Sequence, residues 1–113
     1  MNKSIAVVGC GHWGKNLVRN FATLDALGFV CDPNIDLANE FAERYSVPSL
    51  SFEDVIQSKS IEAVVLAVPA PLHASMALRA IEMGKHVYVE KPLAINRDEA
   101  VQMINSAKSS GVH

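Results

Sequence analysis

At 113 residues the chain has the length of one domain; half of its residues are hydrophobic, 19% are charged and the formal net charge is −2. No apolar run approaches the roughly 20 residues that a membrane-spanning helix needs, and the lysines and arginines are scattered, so neither a bilayer nor a nucleic-acid backbone is an expected partner. Cys10 and Cys31 lack metal-ligand spacing, and the apolar run before the first glycine is too short for a signal-peptide core, so a cytoplasmic protein with packed, reduced thiols and no bound metal is expected.

Ile5 to Val8 is a continuous apolar run, as a strand covered on both faces of a parallel sheet requires. Leu17, Phe21 and Leu24 recur at i, i+4 and i+7, which puts an apolar stripe on a helix beginning near Trp13. Gly28 to Cys31 reads as the next strand, and Ala38, Phe41, Ala42 and Tyr45 trace one face of a second helix. Ser51 with Asp54 three residues on is patterned as a capping box for a short helix through Gln57. Ala63 to Val68 repeats the buried-strand pattern, followed by a helix over roughly Leu72 to Met83 that Gly84 closes in a left-handed cap. His86 to Glu90 is a further strand, and Asn96 with Glu99 opens a last helix ending at Gly111. Alternating strands and helices force parallel pairing with right-handed crossovers, so the expected fold is a doubly wound parallel α/β sheet forming one domain over residues 1–113. The final Gly-Val-His stands where another strand is due, and the natural protein is expected to continue.

Residues 7–16 read V-V-G-C-G-H-W-G-K-N, which sets Gly9, Gly11 and Gly14 in G-x-G-x-x-G between a strand and a helix. In a Rossmann turn the first glycine permits the tight turn, the second lets backbone approach a pyrophosphate, and the third lets helix pack on strand. The following helix offers unpaired N–H groups and the positive end of its dipole to the anion. His12 lies inside this loop, either beside the pyrophosphate or facing solvent, and Trp13 is a packing or a recognition residue at the helix start. The pattern also asks for a carboxylate about 20 residues on, to accept from the adenosine ribose hydroxyls. Asp32 ends F-V-C-D 18 residues after Gly14. Taken alone it reads equally well as a turn aspartate before Pro33; joined to the glycines it takes the ribose role. A carboxylate there repels a 2′-phosphate, and Pro33 and Asn34 supply no cation, so NAD is favoured over NADP. A methyltransferase reading of G-C-G-x-x-G wants an acidic residue two places before the first glycine, where Val7 stands.

Ligands of doubly wound sheets bind at the carboxyl ends of the strands, so the loops after Val68 and Val89 are expected to face the crevice of Gly11. The first carries Pro69 and His73 in P-x-x-x-H, and the second belongs to G-K-H-V-Y-V-E-K-P-L-A over residues 84–94. In this order and spacing the three motifs resemble the glucose-fructose oxidoreductase / inositol dehydrogenase (Gfo/Idh/MocA) family, and the resemblance covers the N-terminal cofactor domain of proteins about three times as long. It implies an NAD-dependent oxidoreductase that moves hydride between nicotinamide and a secondary alcohol of a sugar, cyclitol or nucleotide sugar. It also implies a C-terminal α+β domain and a homo-oligomeric whole protein. Lys91 would reach the nicotinamide ribose and the reacting hydroxyl as the catalytic residue, and Glu90 would orient Lys91 or line the cofactor pocket. Pro92 would steer the chain away after the lysine, while His73 would either touch the nicotinamide side or simply cap and pack. The family's D-x-x-x-H, which supplies the proton acceptor, is missing from these residues, so this chain alone is expected not to turn over. The alternative is a stand-alone dinucleotide-binding module that senses or regulates without chemistry.

Overall fold

The computed structural model describes residues 3–11, 14–89 and 97–113. Four parallel strands, β1 (Ile5–Val8), β2 (Leu27–Cys31), β3 (Ala63–Leu66) and β4 (His86–Val89), form one sheet in the order β2-β1-β3-β4. The apolar runs of β1 and β3 lie side by side in its centre, with Ile5 opposite Ala63 and Val8 opposite Leu66, and Val7 and Val64 are fully buried. Beyond β2 the chain adds a single parallel bridge, Val30 to Ser49. The connections leaving β1 and β3 therefore run to opposite sides, and the carboxyl end of β1 is a topological switch point, where α/β sheets form a ligand crevice.

Helices α1 (Gly14–Thr23) and α2 (Ile35–Tyr45) belong to the core of one face, where Val18 and Phe41 pack with Val7, Val30 and Val65. Helices α3 (Phe52–Gln57), α4 (His73–Glu82) and α5 (Arg97–Ser110) cover the other, where Val55, Ile56, Ala77 and Met103 meet Ala6, Val8, Val64 and Leu66. The Ser51 hydroxyl accepts from the Asp54 N–H at 3.2 Å, the cap its spacing predicts.

Several expectations shift. Leu24 lies outside α1 and is 63% exposed, because the helix has already ended in a Schellman turn: the Ala26 N–H bonds to Phe21 O and that of Asp25 to Ala22 O, with Asp25 left-handed at φ 58°. The buried residue of that helix face is Val18. The strand expected to reach Val68 stops at Leu66, since its neighbour β1 turns away at Gly9 (φ 97°). Residues Ala70–Leu72 form a 3-10 turn around Pro71, and α4 begins only at His73. The last helix begins by Arg97; its expected opening residue Asn96 lies outside the described residues.

Candidate functional site

The three glycines occupy three different environments. A side chain on Gly9 would strike the Ala67 carbonyl, and one on Gly14 would strike the Gly9 carbonyl, so strand, turn and α1 are in backbone contact. A Cβ on Gly11 would meet nothing within 4 Å among the described residues. The middle glycine thus lies open where the outer two are locked, the form needed for a ligand to reach the loop backbone. Helix α1 has no acidic residue in its first turn, so its dipole meets the loop uncompensated. The Lys15 amide bonds to Gly11 O at 2.9 Å and starts the helix directly from the loop.

Gly9 and Gly11 border a cleft of about 860 Å³ across the carboxyl ends of β1, β2 and β3, a volume within the range of small-molecule and cofactor sites. Asp32, Val68, Pro69 and His73 line it as well, so the structure gathers around one cleft the glycine loop, the carboxylate that follows it in sequence and the P-x-x-x-H segment. Among the described residues lining it there is no lysine or arginine.

Asp32 does more than its expected role. Its Oδ2 accepts the Cys10 N–H of the glycine loop at 2.8 Å, and its Oδ1 accepts the Asn34 N–H at 2.8 Å. The turn role is therefore present, together with a strut across 22 residues of sequence that no local pattern announced. A carboxylate offers about four lone-pair sites, so these two bonds leave room for ribose hydroxyls. Asn34 is the N-cap of α2, its Oδ1 accepting from the Leu37 amide at 3.2 Å.

His73 is 1% exposed, and one ring nitrogen lies 2.8 Å from Val68 O. The ring ties the first turn of α4 to the loop that leaves β3, the packing alternative that the sequence left open, and it does so on the cleft wall. Cys10 and Cys31 are buried thiols beneath the loop, the Cys10 Sγ pointing to Cys31 O at 3.7 Å. Burial, and the neighbouring Asp32 carboxylate after it, pushes Cys10 up to about 12 and Cys31 up to about 11, which keeps both protonated at neutral pH and unsuited to nucleophilic work. His12, Trp13, Glu90, Lys91 and Pro92 lie outside the described residues.

One polar residue escaped the sequence reading. Lys85 is 6% exposed, and its Nζ donates to Ser58 O at 2.5 Å and to Ile61 O at 2.6 Å, at the opposite end of the sheet from the cleft. Its only signal was a charge placed between a helix cap and a strand. Burial lowers its pKa from 10.5.

No helix among the described residues is long and apolar enough to cross a membrane. The chain is 41% identical over 111 residues to the oxidoreductase P35 of Formosa agariphila, a match covering 94% of this chain and 35% of that protein. Its fold superimposes on the 3-ketoreductase KijD10 of Actinomadura kijaniata, solved with NADP and TDP-benzene, with a TM-score of 0.90 and 26% identity over 96% of this chain and 34% of that one. The WlbA dehydrogenase of Bordetella pertussis, solved with NADH and UDP-GlcNAcA, gives a TM-score of 0.87 and 28% identity over 35% of its length. This chain thus spans about a third of the length of the proteins it matches. The family model for the NAD-binding Rossmann fold of the GFO_IDH_MocA oxidoreductases matches residues 3–113, and with the cleft, the glycine loop and the parallel sheet this makes the chain an NAD-binding domain of the Gfo/Idh/MocA oxidoreductase family.

Proposed function

We propose that this chain holds NAD for an oxidoreductase in which hydride passes between nicotinamide and a secondary alcohol carbon of a sugar, cyclitol or nucleotide sugar. The observation that carries the reading is the Asp32 carboxylate, braced on the loop amide of Cys10 and bordering the same cleft as the open backbone of Gly11. When bound, the dinucleotide supplies a hydride acceptor or donor at its nicotinamide; this chain's residues hold and orient it. The loop backbone and the N-terminus of α1 take the pyrophosphate, with His12 and Trp13 beside it, and Asp32 takes the adenosine ribose. Pro69 and His73 form the wall toward the nicotinamide half; by the family resemblance Glu90 would orient Lys91 or line the pocket, and Pro92 would steer the chain away after the lysine. Lys91 stabilises the oxyanion that develops as hydride leaves. The proton acceptor belongs to a second domain, so the 113-residue chain binds the cofactor without turning over sugar. The whole protein is read as a cytoplasmic homo-oligomer.

NAD is favoured over NADP by the charge of Asp32 on the cleft and by the residues that follow it in sequence, which bring no cation: Asn34, its acceptor oxygen held on Leu37, and Asp36 in the first turn of α2. The solved relatives carry either cofactor, NADP in KijD10 and NADH in WlbA, so the preference rests on these local charges.

Titration with NADH and NADPH tests the reading. The wild-type chain binds NADH more tightly than NADPH, and Asp32→Ser weakens NADH by about 10–100-fold, the scale of losing a charged acceptor of about 1.5–3 kcal/mol, while narrowing the gap to NADPH. Gly11→Val removes NADH binding and leaves the melting temperature unchanged, since the added side chain meets no atom of the described residues within 4 Å at its Cβ. Equal NADH affinity in both variants would remove the glycine loop and Asp32 from the cofactor site.

A further inference from the structure

The cleft is chemically mixed. Asp32 and the loop glycines line it, and so do Leu50, Phe52 and Met76, large apolar side chains with Ser49 and Ser51 between them in sequence on the lining. On the reading above, ribose at Asp32 directs the flat, weakly polar base of the dinucleotide toward the wall these apolar side chains form.

Phe52 is the weak point of the wall. It is the first residue of α3, a helix of only six residues, and it is half-buried. A helix this short does not hold its own first side chain in place. Phe52 packs against the core of this face, and a further constraint comes from α4, which is firmly seated: Ala74, Ala77, Ala80 and Ile81 are all buried. From α4 the Arg79 guanidinium reaches α3 twice. It lies 5.5 Å from the centroid of the Phe52 ring and forms an ion pair with the Glu53 carboxylate, the next residue along. One planar cation therefore touches both the ring that lines the cleft and the residue beside it.

We propose that Arg79 is a positioning residue for the base of the dinucleotide, acting through Phe52, with Glu53 fixing the guanidinium over the ring. The inference rests on the cofactor reading above. Its energetic signature differs from that of an ordinary surface ion pair. Arg79 and Glu53 are about half exposed, and such pairs contribute little to global stability, whereas the order of an aromatic wall is felt directly by a base stacked on it.

The test uses ADP-ribose, NADH and 1,N6-etheno-NAD, whose fluorescence reports the mobility of the base. Arg79→Met keeps the aliphatic stem and removes the cation; it should weaken ADP-ribose and NADH by about fivefold, the scale of one cation–π contact. The anisotropy of saturating etheno-NAD should fall with it, at an unchanged melting temperature. Glu53→Gln should give a smaller loss in the same direction, and Arg79→Lys should recover part of the affinity. Wild-type affinity and anisotropy in Arg79→Met would reduce Arg79 to a surface ion pair and overturn the inference while leaving the cofactor reading intact. A wild-type chain that binds neither NADH nor ADP-ribose would overturn both.

Discussion

The two ends of the sheet treat their backbone polar groups in opposite ways. At the amino end the protein satisfies itself: Lys85 is buried to reach Ser58 O and Ile61 O, the Glu62 amide bonds to Ser4 O at 2.9 Å, and the His86 amide bonds to Glu62 O at 3.0 Å. At the carboxyl end the strands stop short, Gly11 stands open, and a cleft of about 860 Å³ separates the loops. Desolvating an ammonium is costly unless it is fully bonded, so a lysine confined among protein carbonyls belongs to the scaffold. An end that leaves loop backbone accessible is suited to a ligand instead. The contrast separates residues whose loss costs the fold from residues whose loss costs binding.

Gly14→Ala crosses that division and should have the largest effect. Its methyl group collides with the Gly9 carbonyl, so either α1 or the turn must move. We expect a loss of about 3 kcal/mol or more in stability together with loss of NADH binding, measured by urea unfolding and titration on the same sample. Normal values for both would mean that helix and strand are not in backbone contact.

Lys85→Met should lower stability by about 2–3 kcal/mol, because one buried and one part-buried carbonyl lose a charged donor, and should leave NADH affinity unchanged. A fall in affinity with unaltered unfolding would show that the two ends are coupled and would break the comparison.

The smallest effect is a pH dependence from beneath the loop. The Cys10 pKa is raised on folding from 9.0 to about 12, so the stability linked to this thiol is fully present below pH 9 and is lost as pH climbs toward 12. At pH 10 the loss is about 1 kcal/mol relative to pH 8. In Cys10→Ala the urea midpoint should fall less over that interval; the opposing contribution of Lys85 is present in both proteins and cancels. Parallel curves would mean that Cys10 is not held away from solvent.

Much of this division was legible in the sequence wherever a residue type answers a local need. The apolar runs gave β1 and β3, and Gly84 and Gly111, both left-handed, marked the ends of α4 and α5. Where another residue took the same conformation the signal vanished: Asp25 and Ser46 end α1 and α2 at φ 58° and 55°, and the unnoticed stop at Asp25 is why Leu24 was expected on the apolar stripe of the helix. Asp32 was recognised by its distance from the glycines. Its bond to the Cys10 amide was not, because that contact depends on the register of β1 against β2, where Val8 lies opposite Cys31. Lys85 was missed because a lysine carries no mark of burial until the carbonyls around it are placed.

The pairing of β1 has a consequence for the order in which the molecule is made. Its two partners lie far down the chain, with Ile5 opposite Leu27 on one side and opposite Ala63 on the other. Contacts of such separation form slowly, and domains emerge from the ribosome amino end first. The Gly9 amide finds its acceptor, Cys31 O, only once β2 exists, and the Ala67 amide meets Val8 O only when β3 has been added. The glycine loop is thus among the first segments synthesised and among the last to acquire its shape. Until about three-fifths of the domain has been translated, the nascent chain carries the glycine motif without the backbone contacts that shape its loop.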